Sequence, residues 1–386
     1  MNFKFKPKKI IIILTAILII LTVFIVGLLA YDRFTSQDEA NKNIETKTDN
    51  YTETEINTNN NTTYKTSQRI YQISKESVLS PVISDDRVMY YHKKNGNTFE
   101  AKIDGSSVIR VSSNNFKSLV KALWGPKKEK VISIIKQEDL NLNQKYLYNF
   151  KTKTSTLLDK NIRHISWAPN QDKIAYQYYN PQDQSESHIS IANPDGSNWE
   201  NIFKTRMKNL IIEWPSPDKI AFRTRPSGLA QSVLYIIDTN GENIKKIKQS
   251  FGLTTLWSPS GNKLLFSETD SQGKNLKLKI VDLIKNKVQE IKLKTLPEKC
   301  VWSNEETIFC AVPKKLPDDI VMPDSFYQES VSLSDNFWKI DLQKEQAELQ
   351  VKPKNNYNAT NLIMSKDKER ILFIDRKDNL LYGLKL

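Results

Sequence analysis

The stretch "TLWSPSGNKLLFSE" at residues 255–268 combines a tryptophan, a proline-containing turn and a short run of alternating apolar residues. Four further stretches follow the same pattern, namely "ALWGPKKEKVISII" around Trp124, "ISWAPNQDKIAYQY" around Trp167, "IEWPSPDKIAFRT" around Trp214 and "CVWSNEETIFCAV" around Trp302. Together with Trp257 of the first stretch, these tryptophans recur every 43 to 47 residues. A period of this size is typical of a repeat architecture.

The repeat continues beyond the tryptophans, because Ile83 and Met364 occupy the same place in "VISDDRVMYY" and "LIMSKDKERILFI". This makes seven units. Each unit contains four short predicted strands, such as "HISWA", "KIAYQY", "HISIANP" and "NWENIF" in the third. Alternating apolar and polar residues and Asp-Gly or Asn-Gly turns favour antiparallel hairpins over helices. The sequence therefore predicts an all-β fold, a seven-bladed β-propeller of four-stranded antiparallel blades over residues 69–386.

The two ends of this region predict how the ring closes. The last unit ends one strand short after "LLYGLKL", whereas "RIYQIS" at residues 69–74 precedes the first unit and has no partner there. We expect residues 69–74 to supply the outer strand of the last blade, because closure removes exposed sheet edges. We expect the five tryptophans near the ends of the inner strands, where they pack between blades rather than stack on sugars or bases.

The signature "W-S-P-x-G-x-x-L-x-F" followed by "L-Y-x-x-D-x-x-G" resembles the repeat of TolB-type propellers. These belong to a wider WD-repeat-like class that includes the propeller domains of dipeptidyl peptidase IV and the prolyl oligopeptidases. The resemblance covers residues 69–386 and implies the propeller fold. The Trp-Asp dipeptide of WD repeats is absent, and a tether and stalk stand in place of the N-terminal domain of TolB. We expect no hydrolase domain, which would need a G-x-S-x-G elbow.

The N-terminal region has a different character from the repeats. Residues 10–30, "IIIILTAILIILTVFIVGLLA", hold no charge, and as a helix they span roughly 30 Å, one hydrocarbon thickness. Lysines in residues 1–9 precede the run, which predicts a cytoplasmic basic tail, a transmembrane helix and an extracytoplasmic remainder. A cleaved signal peptide is the alternative, although its apolar region is normally shorter. Residues 31–68 are rich in Asn, Thr and Glu and predict a disordered stalk.

The charge balance suggests a class of partner. The chain carries a formal net charge of +13, of which +12 falls on residues 69–386. A basic extracytoplasmic domain attracts anionic lipid head groups or cell-wall polymers. No run of lysine and arginine interleaved with aromatic residues singles out nucleic acid. We therefore expect a single-pass protein of the cell membrane whose partner is another envelope protein or an anionic envelope polymer.

The two cysteines lie in the predicted hairpin "CVWSNEETIFC". A turn centred on Glu305 places Cys300 opposite Cys310, with Trp302 and Ile308 as the next pair. Residues in such opposition are within disulfide distance, and a disulfide persists outside the membrane. We expect this disulfide; a pair of buried thiols is the alternative.

Candidate chemistry is sparse. His92, His164 and His188 show no metal-binding spacing, so we expect no metal, no cofactor and no catalytic histidine. The longest connection, residues 313–336, contains three prolines, an acidic cluster and an aromatic pair, which suits a partner-binding loop. Its candidate contact residues are Asp318, Asp319, Asp324, Phe326 and Tyr327. The alternative is that the segment packs over its own blade.

Three functional hypotheses follow from the sequence. The first is a non-catalytic binding or scaffold module of the cell envelope. The second is a propeller enzyme, either a lyase or a glycoside-active protein, which would use Asp318, Asp319 and Asp324 near the channel mouth. The third is a structural subunit of an envelope assembly with no ligand of its own.

Overall fold

The computed structural model describes residues 52–58, 69–112, 116, 118–137, 142–183 and 187–386, without the side chains of 52–58 and 142. The predicted tail, the predicted transmembrane helix at 10–30 and most of the predicted stalk lie outside the described residues. Among the described residues, no helix has the length and apolar character needed to cross a membrane.

The described residues form 29 strands, most of which group into seven blades. The first two are β1 (Thr52–Thr58) and β2 (Ile70–Gln72). Blade 1 contains β3 (Val78–Ser84), β4 (Arg87–His92), β5 (Thr98–Lys102) and β6 (Ile109–Arg110). Blade 2 contains β7 (Leu119–Trp124), β8 (Lys130–Gln137), β9 (Leu142–Asn149) and β10 (Thr154–Leu157). Blade 3 contains β11 (Ile162–Trp167), β12 (Ile174–Tyr178), β13 (His188–Ala192) and β14 (Glu200–Lys204). Blade 4 contains β15 (Ile211–Ser216), β16 (Lys219–Arg223), β17 (Ser232–Asp238) and β18 (Lys245–Ser250).

The remaining blades follow the same order. Blade 5 contains β19 (Thr255–Trp257), β20 (Lys263–Glu268), β21 (Lys277–Asp282) and β22 (Lys287–Ile291). Blade 6 contains β23 (Cys300–Asn304), β24 (Thr307–Pro313), β25 (Asp335–Asp341) and β26 (Gln346–Val351). Blade 7 contains β27 (Ala359–Met364), β28 (Arg370–Asp375) and β29 (Leu381–Lys385). A 3₁₀ turn (Pro297–Lys299) precedes β23, and a single-turn helix α1 (Asp324–Tyr327) lies between β24 and β25.

The sheet topology is that of a seven-bladed propeller with four-stranded antiparallel blades, as the sequence predicts. Strand β2 pairs antiparallel with β29, so that Ile70 lies opposite Leu384 and the N-terminal strand completes blade 7. The predicted ring closure is therefore confirmed.

Strand β1 lies inside the stretch that the sequence interprets as a disordered stalk. It pairs in parallel with β22 of blade 5 and with β26 of blade 6, joining the outer strands of these two blades. In these seven residues the structure differs from the expectation, because an edge strand offers unpaired backbone groups that a polar segment can satisfy without burying apolar side chains.

Buried apolar side chains fill the spaces between blades. Between blades 3 and 4, Ile189 and Phe222 pack with Trp214. Between blades 7 and 1, Leu372 packs with Val88, which closes the ring of contacts. Equivalent clusters lie at the other five boundaries within the described residues. Each fully buried side chain of this size contributes about 1.5–3 kcal/mol, so these clusters dominate stability.

The repeated tryptophans lie at the inner strands and contact the preceding blade. Trp167, for example, donates its indole Nε1–H to the carbonyl oxygen of Leu123 at 2.9 Å. Comparable bonds run from Trp124 to Ser80 O at 2.8 Å and from Trp302 to Leu256 O at 3.4 Å. Trp214 is only 8% exposed, and its Nε1 has no hydrogen-bond partner among the described residues, so it acts by packing alone.

The cysteines lie opposite each other in the hairpin of β23 and β24. Cys300 pairs with Cys310 and Trp302 with Ile308, which confirms the predicted register. The structure joins the two cysteines by a disulfide, with the sulfur atoms 2.08 Å apart and the Cα atoms 4.0 Å apart. Both residues belong to the apolar cluster between blades 5 and 6.

Replacing Trp214 by alanine tests the role of interblade packing. We expect the free energy of unfolding to fall by about 3–5 kcal/mol, because a large buried ring leaves a cavity. Urea denaturation followed by circular dichroism measures this. The matched control is Trp199→Ala, since that ring is 61% exposed and its loss changes stability by about 0.5 kcal/mol or less. Equal losses in the two variants would contradict the packing role.

Alkylation tests the disulfide. We expect protein unfolded in urea without reductant to keep both cysteines unmodified, and reduced protein to be modified at Cys300 and Cys310, as read from intact mass. Because the bond restricts the unfolded chain, its reduction lowers the free energy of unfolding by about 2–3 kcal/mol. Modification without reductant would show free thiols instead.

Candidate functional site

The two faces of the propeller differ in their connections. Within each blade the strands alternate in direction, so the loops between second and third strands share one face with the connections between blades. We call this the loop face. Its longest loop in the described chain, residues 314–334 between β24 and β25, carries α1 and contains the predicted partner-binding residues.

This long loop crosses the neighbouring blades. Both carboxylate oxygens of Asp324 are engaged by blade 4, where Ser227 Oγ donates to Oδ1 at 2.9 Å and the Gly228 amide donates to Oδ2 at 2.6 Å. In blade 5, Lys274 Nζ donates to the carbonyl oxygens of Asp318 and Ile320 at 2.6 and 2.7 Å. The loop therefore contacts blades 4 and 5 and does not pack over its own blade alone.

An apolar cluster of its own anchors the loop. Met322, Phe326 and Leu333 are 2–4% exposed and pack with Leu276 of blade 5 and with Leu296, which precedes blade 6. The loop is thus an integral part of the core on this side of the ring.

A buried ion pair lies beneath Phe326. Lys299 and Asp335 are both fully buried, with Nζ 2.8 Å from Oδ2. Lys299 Nζ also donates to Asn358 Oδ1 at 3.1 Å and to the carbonyl oxygen of Ala359 at 2.7 Å, which ties blade 6 to blade 7. Burial lowers the pKa of Lys299 and raises the pKa of Asp335, while their mutual attraction opposes both changes. Removing one partner alone would leave an unpaired buried charge.

The candidate contact residues therefore have unequal surroundings. Asp318 and Asp319 are exposed, Asp324 is held by blade 4, and Phe326 is 4% exposed beneath the loop. The guanidinium carbon of Arg376 lies 4.0 Å from the centre of the Phe326 ring, which further encloses it. Of the aromatic pair, Tyr327 alone remains accessible, at 43% exposure.

A second group of polar side chains meets at the inner strands. Glu213 of β15 accepts hydrogen bonds from Thr255 Oγ1 at 2.9 Å and from Trp257 Nε1 at 2.8 Å. Arg223 donates its Nε–H to Thr255 Oγ1 at 2.9 Å, and this nitrogen lies 3.7 Å from Glu213 Oε1. The network joins blades 4 and 5 and holds the carboxylate as a fixed acceptor.

Tyr327 connects the long loop to this network. Its hydroxyl donates to Glu298 Oε1, and Thr254 Oγ1 donates to Glu298 Oε2 at 2.9 Å. Burial of the hydroxyl and then the charge of Glu298 raise the pKa of Tyr327 well above its ordinary value, although part of the ring stays exposed. Arg223 and Glu213 also act on this hydroxyl, lowering and raising its pKa respectively.

Basic side chains gather where blades 2, 3 and 4 meet, and Arg223 belongs both to this group and to the network around Glu213. This basic cluster consists of Lys121, Lys145, Arg163, His164 and Arg223. Burial, with a smaller contribution from the charge of Arg163, lowers the pKa of Lys145 to about 8. Lys145 is 6% exposed, and in the described chain its ammonium donates only to the carbonyl oxygen of Asn143, at 3.2 Å.

His164 lies at the centre of the basic cluster. Its Nδ1 accepts the backbone N–H of Ile212 at 3.1 Å, a bond between blades 3 and 4. Burial first, and then the charges of Lys121 and Arg223, lower its pKa to about 4. The imidazole is therefore neutral near pH 7 and accepts one hydrogen bond.

Arg223 is as enclosed as Lys145. It is 6% exposed, and its Nη1 is buried with no hydrogen-bond partner among the described residues. Glu213 is the carboxylate beside it, so positive charge exceeds negative charge here. Such an arrangement can bind an anionic group that supplies the missing acceptors.

The sequence analysis did not identify this site, although one signal was available. The residues just before the five tryptophans are Leu123, Ser166, Glu213, Leu256 and Val301. Glu213 is the one ionised side chain at this inner-strand position. The backbone carbonyl oxygens of Leu123 and Leu256 accept hydrogen bonds from the indole N–H groups of Trp167 and Trp302 in the following blades. At Glu213 the side-chain carboxylate accepts the corresponding bond from Trp257.

No group of three or more histidine, cysteine or acidic side chains among the described residues is arranged to hold a metal ion. Glu213 and Glu298 are both engaged by hydroxyl or indole donors. The arrangement offers fixed acceptors and, on Arg223, a buried Nη1 with no hydrogen-bond partner within the described residues, which suits recognition of a ligand.

Comparison with known proteins shows similarity in fold. No protein-family model and no curated protein sequence matches the chain. An oligogalacturonate lyase solved in complex with manganese aligns over 86% of this chain and 96% of that chain, with 8% identity and a TM-score of 0.60. A prolyl endopeptidase aligns over 78% of this chain and 47% of that chain, with 12% identity and a TM-score of 0.55. TolB from Acinetobacter baumannii aligns over 80% of this chain and 63% of that chain, with 14% identity and a TM-score of 0.43.

At these identities the first two similarities show the β-propeller fold alone, and the third is too distant to carry an argument. The chain is thus a seven-bladed β-propeller with structural neighbours among TolB and prolyl-peptidase propellers. The first two neighbours are a lyase and a peptidase, and they do not select one activity.

The pH dependence of stability tests the surroundings of His164. Between pH 6.5 and about 4 the unfolded chain binds a proton on this histidine and the folded chain does not. The free energy of unfolding therefore falls as the pH drops through this window, by up to about 3 kcal/mol. We expect His164→Asn, whose amide oxygen can replace Nδ1 as acceptor, to flatten this part of the curve in urea denaturation at several pH values.

The matched variant is His164→Leu, which removes the acceptor as well. It should flatten the same window, and it should also lose about 1–2 kcal/mol at pH 7 because the Ile212 amide is left unpaired. If the free energy of unfolding of both variants keeps the wild-type dependence on pH, the claim that His164 is buried in its neutral form is contradicted.

Proposed function

We propose that this protein is a non-catalytic binding module of the cell envelope, in which a membrane-anchored, extracytoplasmic propeller binds an anionic polymer. The ligand contacts the loop face near the basic cluster of blades 2 to 4. The observation that carries the proposal is the gathering of Lys121, Lys145, Arg163 and Arg223 around one neutral histidine, where Glu213 is the neighbouring carboxylate within the described residues.

The arrangement of the loop face supports a binding role. The long loop contacts blades 4 and 5 through Asp324 and Lys274, and its Glu329 lies 3.3 Å from Arg376 of blade 7. The basic cluster lies at blades 2 to 4, and its Arg223 is near Tyr327 of the loop. The net charge of +12 on residues 69–386 adds long-range attraction for a polyanion.

The N-terminal sequence supports the location. The uncharged run of residues 10–30 and the lysines before it favour a single membrane span with the propeller outside the cytoplasm. At the membrane surface, repeating phosphate or carboxylate groups of envelope polymers are the matching ligand class.

An enzyme is the second candidate, and one observation favours it. Tyr327, Glu298, Glu213 and Arg223 form one electrostatically coupled group, and the fold is similar to that of an oligogalacturonate lyase. The acidic residues selected from sequence fit this role less well, because both oxygens of Asp324 are held by blade 4. In this reading Tyr327 and Glu298 would exchange a proton with the substrate, and Arg223 would hold its carboxylate.

Binding of polygalacturonate and of inorganic polyphosphate to the purified protein tests both candidates. We expect binding that weakens as ionic strength rises, because salt screens the charges. The double variant Lys145→Met with Arg163→Gln removes two cations and should weaken binding about tenfold or more, at roughly 1 kcal/mol per cation. Surface plasmon resonance at several salt concentrations measures both effects.

The matched control replaces two exposed lysines elsewhere, Lys151→Ala with Lys285→Ala, for the same change in net charge. Equal weakening in both double variants would show that binding depends on general charge attraction and not on the basic cluster. Release of unsaturated products from polygalacturonate, detected by ultraviolet absorbance, would favour the lyase over the binding module.

A further inference from the structure

The rim of the ring is open between blades 2 and 3. Gly105, Gly196 and Gly241 occupy the same place in the outer hairpin turns of blades 1, 3 and 4, with φ between 84° and 86°. A Cβ on Gly105 would lie 2.9 Å from the carbonyl oxygen of Gln72, in the outer strand of the preceding blade. A Cβ on Gly241 would lie 2.4 Å from the carbonyl oxygen of Ile202, in the outer strand of blade 3.

Gly196 differs from both of these glycines. The nearest atom to its Cβ position is Cδ2 of Leu158, 3.9 Å away. The outer turn of blade 3 therefore stands away from blade 2, whereas the turns of blades 1 and 4 pack against their neighbours. This local separation opens a cleft.

The cleft has a volume of about 450 Å³, within the range of small-molecule sites. We call it the rim cleft. Aromatic side chains contribute much of its wall, namely Tyr176, Tyr178, His188 and Trp199. At Asp195 it meets a second cavity of about 420 Å³, which extends along blade 2 past Asn149 and Thr156. An elongated ligand could occupy both.

Trp199 is the most exposed aromatic residue of the rim cleft, at 61% exposure. The equivalent positions three residues after the turn glycine are Val108 in blade 1 and Ile244 in blade 4, which are 39% and 47% exposed. Blade 3 thus presents a flat aromatic ring where the other two blades present aliphatic side chains. Trp199 also lies outside the set of tryptophans that pack between blades.

The polar groups of the rim cleft are placed among these rings. Ser190 Oγ donates to Asn201 Oδ1 at 2.8 Å, and Asn161 Nδ2 donates to the Tyr178 hydroxyl at 3.1 Å. Asp195 Oδ1 accepts both the amide and the hydroxyl of Ser197. Asn201 Nδ2 and Asp195 Oδ2 have no protein hydrogen-bond partner in the described part of the chain. One donor and one acceptor are therefore available to a ligand.

We propose that the rim cleft binds a neutral oligosaccharide, with a sugar ring stacked on Trp199. Sugar rings present flat C–H faces to aromatic rings and hydroxyl groups at their edges, which match Asp195 and Asn201. Two carboxylates, Asp159 and Asp195, line the cleft and disfavour an acidic sugar. This site goes beyond the polyanion binding proposed above and involves none of the residues of the basic cluster.

Isothermal titration of the purified full-length protein tests the proposal with maltotriose, cellotriose, chitotriose and trigalacturonate as probes. At least one neutral trisaccharide should bind, and trigalacturonate should bind more weakly at this site. Trp199→Ala should weaken binding of the neutral sugar about tenfold or more through loss of stacking. Tyr178→Phe, which keeps the ring and removes the hydroxyl, should weaken it about fivefold.

Ile244→Ala is the matched control, because it removes an exposed apolar side chain at the equivalent position of blade 4, and it should leave binding unchanged. Absence of binding by all three neutral sugars would overturn the proposal, as would full binding by Trp199→Ala. Tighter binding of trigalacturonate than of every neutral sugar would assign the cleft to a different ligand class. The variant Lys145→Met with Arg163→Gln should bind neutral sugars normally, so failure of the rim cleft and failure of the polyanion site are distinguishable.

Discussion

Packing of each blade against its neighbours is the constraint on which the rest of the structure depends. A four-stranded sheet of this size has two apolar faces and cannot bury them alone. In the second strand of blade 4, Ile220, Ala221 and Phe222 are consecutive and fully buried, because blades 3 and 5 cover opposite faces. Any open boundary would expose such strands to water. Closure of blade 7 by β2 is therefore required for the stability of every blade.

The long loop breaks the sevenfold similarity of the ring. Its apolar cluster around Phe326 and its polar contacts through Asp324 link blades 4, 5 and 6. These links add to the packing of each blade against its neighbours. The buried Lys299–Asp335 pair lies under this loop, and blade 7 supplies further partners to Lys299 Nζ and Asp335 Oδ2. A charge pair in such a place is costly to desolvate, so it fixes a specific geometry more than it adds stability.

This asymmetry separates the candidate sites. On the loop face, the side near Tyr327 presents carboxylates already engaged by donors, and the side near Lys145 presents cations with few acceptors. The rim cleft lies between blades 2 and 3, where the outer turn of blade 3 stands away from the preceding blade, and none of the basic-cluster residues line it. A repeat protein can gain a site in this way by departing locally from its repeat, without altering the shared core.

The sequence by itself determined the parts of the molecule that depend on local periodicity. The spacing of Trp124 to Trp302 defined the blades, the unpaired "RIYQIS" segment indicated the closing strand, and the turn at Glu305 set Cys300 opposite Cys310. Only the tertiary structure decided which side chains meet across blades. Glu213 and Arg223 lie on paired strands of blade 4, but their encounter with Thr255 of blade 5 and Tyr327 of the long loop depends on how these elements are stacked. The burial of Phe326, the neutral state of His164 and the opening beside Gly196 likewise follow from contacts between repeats, which no pattern within a single repeat encodes.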